Sequence, residues 1–262
     1  MTSMNGAGVV VTGGGGGIGR AIARRLAADG ARVVVNDVDQ AAADAVAAEI
    51  DGFAVPGDVG TERGVAELVD GATGFLGEID VYCSNAGTAV GAGPETPDEQ
   101  WLHAWEVNTL AHVRAARLLL PGWLDRGAGT FVVTASAAGL LTMLGGAPYS
   151  VTKHAAVGFA EWLAATYAHR GLRVHCICPQ GVRTQMLAGS GRAGEVVLAA
   201  AAIEPEQVAD ALATAMAVGR FLVLPHPEVR DYYVHRATDT DRWLRGMSRL
   251  QQRIDDASGE PA

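Results

Sequence analysis

Val9-Val10-Val11-Thr12-Gly13-Gly14-Gly15-Gly16-Gly17-Ile18-Gly19 is the stretch on which the reading of this chain turns. The β-branched run predicts a strand over 9–12, and the alanine-rich segment over 18–29, closed by Gly30, predicts a helix. Glycines in between permit a tight turn, let backbone approach a bound group, and allow close helix–strand packing. The helix then points free N–H groups and the positive end of its dipole at the turn, where a phosphate is favoured. A flexible polyglycine loop is the bland alternative, and it leaves the end of the second strand unexplained.

Outward from that turn, short β-branched runs alternate with helical segments. Strands are predicted over 32–36, 52–56, 80–84, 130–135, 172–178 and 220–224. Helices are predicted over 40–50, 62–75, 98–124, 149–170 and 206–218. Such alternation implies an α/β fold with a doubly wound, parallel, seven-stranded sheet and helices on both faces, a three-layer αβα sandwich. No repeat, linker or composition shift divides the chain, so 1–262 is read as a single domain. Residues 183–203, rich in glycine and alanine, read as a substrate loop. Residues 226–262 read as a C-terminal helical extension.

The second strand is followed by Asp37, twenty residues after Gly17. A carboxylate there accepts hydrogen bonds from the adenosine ribose hydroxyls of a dinucleotide and repels a 2′-phosphate. No arginine or lysine lies within 13–17, and Val38 follows Asp37. NAD(H) is therefore expected in preference to NADP(H). The competing role for Asp37, a helix cap, falls as easily to Asp39.

The bulk composition narrows the field. A net charge of −9 and a pI near 5.2 argue against nucleic acid or an anionic membrane as partner. No apolar run reaches the roughly 18 residues of a membrane-spanning helix. Residues 1–8 lack the pattern of a secretory signal. Three cysteines without Cys-x-x-Cys spacing read as free buried thiols in a cytoplasmic protein, and no metal is expected.

Tyr149-Ser150-Val151-Thr152-Lys153 places a phenol and an ammonium on one helix face. An ammonium beside a phenol favours the phenolate and lowers its pKa from about 10, which is how tyrosine becomes a general acid/base. Ser136 precedes Tyr149 by thirteen residues. Taken singly, each has a bland reading: an exposed helix face for the pair, a strand cap for Ser136.

From about residue 8 to residue 224 the chain resembles the short-chain dehydrogenase/reductase family, whose Rossmann-type fold matches the alternation above. The family's Thr-Gly-x-x-x-Gly-Ile-Gly is Thr12 to Gly19, with Gly13, Gly15, Gly16, Gly17, Ile18 and Gly19 as implied cofactor contacts. Asp58 and Val59 resemble the pair that meets adenine. Ser84-Asn85-Ala86-Gly87 is similar to Asn-Asn-Ala-Gly, with serine for the first asparagine. Pro179-Gln180-Gly181-Val182-Arg183-Thr184 resembles the stretch after the sixth strand, with Gln180 for a glycine; Pro179 and Val182 are implied cofactor contacts, and Thr184 is the implied holder of the nicotinamide carboxamide.

The resemblance also implies four catalytic residues. Tyr149 exchanges a proton with the substrate oxygen, and Lys153 lowers the tyrosine pKa and bonds the nicotinamide ribose. Ser136 polarises the substrate oxygen, and Asn108, in the long helix, holds a water in a relay to the lysine. It implies a homodimer or homotetramer built on the long helices, which carry surplus apolar residues such as Trp105, Leu118 and Trp162. The expected substrate pocket comprises Ala137, Leu140, Leu141, Met143, Leu144, Gln180, Met186 and Leu187, with Arg183 and Arg192 as candidate anion contacts. Such walls suit a small apolar secondary alcohol or its ketone. Three rivals stand beside this reading: a catalytically silent NAD(H) sensor of the same fold, an NADPH-dependent ketone reductase, and a serine hydrolase. The last lacks the Gly-x-Ser-x-Gly elbow around Ser136.

Overall fold

Branched side chains make the strands, and their alternation decides which layer each one feeds. In the computed structural model, which describes residues 4–189, 198 and 201–258, the first strand β1 is Gly8–Thr12. Val9 and Val11 of β1 belong to one buried cluster, and Val10 to the other. The chain continues through α1 (Gly17–Ala28), β2 (Arg32–Asn36), α2 (Gln40–Glu49), β3 (Phe53–Ala54), α3 (Glu62–Leu76) and β4 (Val81–Ser84). Next come α4 (Asp98–Trp105), α5 (Ala111–Arg126), β5 (Gly129–Thr134), α6 (Ala147–Tyr167) and β6 (Leu172–Ile177). A short α7 (Gln185–Ala188) leads to α8 (Pro205–Val218), β7 (Leu222–Val223), α9 (Glu228–Thr238) and α10 (Thr240–Ser258).

All seven strands are parallel, in the order β3-β2-β1-β4-β5-β6-β7. On one face Ile22 and Leu26 of α1 pack with Leu212 of α8. On the other, Leu68 of α3, Ala115 of α5 and Leu163 of α6 share a core with Phe131 of β5. The order reverses between β1 and β4, so the connections leaving their C-terminal ends turn to opposite faces and leave a crevice between them. That crevice is where the site lies.

Three elements differ from expectation, each for a local reason. The third strand shrinks to Phe53–Ala54; beyond it Val55 N still donates to Val35 O (2.9 Å) and Gly57 N to Asp37 O (3.0 Å), while the Asn36 side chain takes up Val55 O (2.9 Å) and Gly57 O (3.1 Å). The long helix is broken into α4 and α5 by a π-helical turn over Glu106–Leu110, which inserts a residue and redirects the side chains that follow. Residues 220–224 pair as a strand only at Leu222–Val223. The C-terminal extension folds as α9 and α10, anchored by fully buried Val229. Asp239 accepts from Arg242 N (2.9 Å) at the start of α10. Cys83, Cys176 and Cys178 are free and buried. Among the described residues, no helix is long and apolar enough to cross a membrane. Arg192 lies outside the described residues.

Candidate functional site

Eight residues shape the first end of the crevice. Gly13 and Gly17 have φ of +60° and +48°, in the left-handed region that favours glycine. A Cβ on Gly15 would stand 2.9 Å from Asp37 Oδ2, one on Gly17 2.9 Å from Thr184 Cγ2, and one on Gly19 2.0 Å from Gly13 O. Gly16 is the N-cap of α1 and offers no side chain to its first turn, which also holds no acidic residue. The N–H groups of that turn are thus available to an anion.

Side chains lock this turn to its neighbours. Thr12 Oγ1 accepts from Asn85 N and Ala86 N (2.9 Å each), while Asn85 Nδ2 donates to Thr12 O (2.9 Å). Asp37 Oδ2 accepts from Gly15 N (3.0 Å), and Asp37 Oδ1 from Asp39 N (3.1 Å). Asp39, not Asp37, caps α2 through Ala42 N (3.1 Å). Asp37 therefore stands at the cavity with no capping duty, beside exposed Val38. Asp58, whose Oδ1 accepts from Gly60 N (2.8 Å), and buried Val59 line the same cavity.

The cavity measures ≈ 1230 Å³ and runs from the glycine turn to Tyr149 and beyond. Asn85, Ala86, Gly87, Pro179, Gln180, Val182 and Thr184 all border it. Thr184 also caps α7 through Leu187 N (3.4 Å). A second cavity of ≈ 700 Å³ adjoins it behind Gly17 and Thr184. The arginines there are neutralised, Arg20 and Arg24 by Glu49 and Arg183 by Glu204.

At the other end, Pro148 opens α6, and Tyr149 and Lys153 follow one turn apart facing the cavity. Lys153 Nζ lies 5.6 Å from the Tyr149 ring centre and donates to Thr134 O (2.9 Å). Burial drives its pKa down from 10.5 to about 8, against the nearby Cys176 and Cys178. Tyr149 departs from the sequence-based expectation. Burial raises its pKa, and the hydrogen bond with Ser136 offsets only part of that rise. Ser136 Oγ accepts from Ala138 N (3.1 Å) and donates to Pro179 O (3.4 Å), so it caps the turn after β5 while also meeting the tyrosine.

Asn108 sits in the π-helical turn and is fully buried. Its Oδ1 accepts from Thr88 N (2.9 Å), and its Nδ2 donates to Thr88 O (2.9 Å) and Thr152 Oγ1 (3.1 Å). The amide is thus committed to holding the loop after β4 against α6. One turn later His112 Nδ1 meets Ser84 Oγ at 2.6 Å. Burial and then the Lys153 charge push the His112 pKa down to about 3, opposed by the Asn108 carbonyl. Ser84 stands where the family pattern has asparagine.

Among the expected pocket residues, Ala137, Leu141, Met143, Leu144, Gln180, Met186 and Leu187 line the cavity. Leu140 does not. The 3₁₀ turn Ala137–Gly139 rotates it into the core, where it is 2 % exposed, and Leu141 takes the cavity position. Reading the sequence also misses Ser150, whose Oγ accepts from Met143 N (2.9 Å) and donates to Met143 O (3.2 Å), fixing the pocket loop to α6. It misses the far wall as well: Tyr232, His235, Trp243, Met247 and Leu250 from α9 and α10. Only their spacing hinted at helices, and nothing in it hinted at where those helices dock.

The parallel sheet, its switch-point cleft and the glycine turn are those of a dinucleotide-binding fold. Residues 7–194 match the short chain dehydrogenase family, and the chain belongs to it. It is 36% identical over 234 residues to the 1-deoxy-11-beta-hydroxypentalenate dehydrogenase of Streptomyces exfoliatus, covering 84% of this chain and 83% of that protein. The solved structure of a short chain dehydrogenase/reductase from Burkholderia phymatum in complex with NAD matches with a TM-score of 0.86 at 26% identity, covering 92% of this chain and 96% of that one. A 3-ketoacyl-(acyl-carrier-protein) reductase from Brucella melitensis complexed with NADH matches with a TM-score of 0.79 at 26% identity, covering 86% and 99%.

Proposed function

We propose that this protein is an NAD(H)-dependent oxidoreductase interconverting an apolar secondary alcohol and its ketone, with Tyr149 as the general acid/base. The observation that carries the reading is the meeting of Tyr149, Ser136 and Lys153 at one end of the cleft whose other end is the glycine turn. The glycine cradle, the uncapped α1 and the Asp37 carboxylate fit the pyrophosphate and ribose of the coenzyme. Bound there, the nicotinamide supplies hydride exchange.

The chain's own groups do the rest. Tyr149 gives a proton to the ketone oxygen or takes one from the alcohol, and Ser136 holds that oxygen by its hydroxyl. Lys153, cationic below about pH 8, favours the phenolate in oxidation and bonds the nicotinamide ribose. Asn108 keeps α6 in register with the loop after β4. Asp37 disfavours a 2′-phosphate, which supports NAD(H) over NADP(H). Exposed Trp105, Leu118 and Trp162 on α4, α5 and α6 support self-association into a dimer. The net charge of −9 and the three free, buried cysteines fit a cytoplasmic enzyme acting on a small molecule.

The test is a panel of apolar secondary alcohols with NAD or NADP, followed by NADH or NADPH absorbance. Turnover with NAD at ten or more times the NADP efficiency is expected. Turnover with NADP alone would overturn the coenzyme assignment. NADH binding without turnover of any alcohol or ketone would overturn the catalytic one.

A further inference from the structure

The cleft has to hold coenzyme and substrate together. Its ≈ 1230 Å³ runs from the glycine turn past Tyr149 to a wall the family motifs do not include. Tyr232 comes from α9, and Trp243, Met247 and Leu250 from α10. Leu141, Met143 and Leu144 line the same cavity. Aromatic rings, thioethers and branched side chains from two separate parts of the chain give this slot a largely apolar lining.

One side chain ties that wall to the catalytic elements. The Arg236 guanidinium on α9 lies 5.3 Å from the centre of the Trp243 ring, in cation–π contact. Its Nη1 donates to the Leu140 carbonyl, in the turn that follows Ser136. The same nitrogen stands 3.2 Å from His154 Nε2 on α6, next to Lys153. His154 Nδ1 in turn donates to Ser150 O (2.8 Å), and the Ser150 hydroxyl holds Met143. Both walls of the slot are therefore referenced to the helix that carries Tyr149. A planar fork reaching a carbonyl, an imidazole and an indole face at once is a role for which lysine is a poor substitute.

We infer that α9 and α10 form the distal wall of the substrate site, that Arg236 is the residue positioning it, and that the site is shaped for a rigid alcohol or ketone of two or more fused carbocycles. The inference rests on the proposed alcohol–ketone chemistry for its reacting end. A fused ring system touches both walls at once with little rotamer entropy to lose, whereas a short chain reaches Tyr149 and leaves the distal wall uncontacted.

Decahydro-2-naphthol and 2-butanol, compared by kcat/KM with NAD, test it. The wild type is expected to favour the bicyclic alcohol at least tenfold. Trp243→Ala and Arg236→Ala are each expected to cut that ratio at least tenfold, through the KM of the bicycle, and Arg236→Lys to restore part of it. A wild type that prefers 2-butanol, or ratios unchanged in both alanine variants, would overturn the inference. If Arg236→Ala also weakens NADH binding, the fold is disturbed and Trp243→Ala decides. Calorimetric titration of 2-decalone into Tyr149→Phe with NADH separates the slot from the chemistry. Saturable binding weakened tenfold by adding Trp243→Ala upholds the slot even where no alcohol is turned over. Binding indifferent to Trp243 rejects it even where turnover is found.

Discussion

Between Thr12 and Gly19 the cleft is shaped by eight consecutive residues, whereas the end holding Tyr149 is assembled from elements spread from Ser84 to Leu250. The first end works through backbone. Its glycines are where a Cβ would strike Asp37, Thr184 or the turn itself, and its polar groups are N–H donors beside the carboxylates of Asp37 and Asp58. The second end works through burial. Lys153 is held near 8 and His112 near 3 chiefly because the surrounding helices exclude water. A site can thus be written partly in local conformation and partly in environment, and damage to one part need not reach the other.

The sharpest way to break that division is Tyr149→Phe. The hydroxyl lost carries the proton, so kcat should fall roughly 10³-fold, while NADH affinity, measured by fluorescence titration, should stay within about threefold. An equal loss of NADH binding would show the two ends to be one unit.

Asp37→Ser is the converse, aimed at the glycine end. Losing a charged acceptor for ribose hydroxyls is worth roughly 1.5–3 kcal/mol, or about tenfold to a hundredfold in NAD-over-NADP selectivity. The pH dependence set by Lys153 and Tyr149 should not move. Selectivity unchanged in kcat/KM would remove Asp37 from its role, and a shifted pH profile would join the two ends.

The smallest effect expected concerns burial itself. His112 is held at about 3 in the folded protein against 6.5 ordinarily. Below pH 6.5 the unfolded chain takes up a proton there that the folded chain refuses, so stability is lost as pH falls from 6.5 toward 3. From pH 7 to 5 this amounts to roughly 2 kcal/mol. Urea unfolding of His112→Leu should show a loss over that interval smaller by about this amount. Equal slopes in wild type and variant would show that burial does not set this group's titration.

Much of the first end was legible in the sequence because its information is local. Strand, glycines and helix are contiguous, and Asp37 follows at the end of the neighbouring strand. At the second end, Tyr149 and Lys153 were legible through helical periodicity and Ser136 through its place after a strand. Leu140 was misplaced because the 3₁₀ turn Ala137–Gly139 carries it into the core. The break in the long helix was not read: Val107, Asn108 and Thr109 are weak helix formers, but weak propensity does not specify a π-helical turn, in which Asn108 packs against Thr88 and Thr152. His112 gave no signal, because one imidazole acquires its character only from what excludes water around it.

By itself, the sequence determined the parallel, doubly wound sheet, the glycine turn and the placement of Tyr149 and Lys153 on one helix face. These depend on periodicity and backbone permission, which neighbouring residues set among themselves. The tertiary structure alone decided that Asn108 sits in a π-helical turn bonded to Thr88 and Thr152, that His112 occupies the space beside Ser84, and that α9 and α10 close the far side of the cavity through Arg236. Those outcomes depend on contacts between residues as much as ninety-six positions apart. Periodicity predicts that such helices exist, but not which surface will bury them.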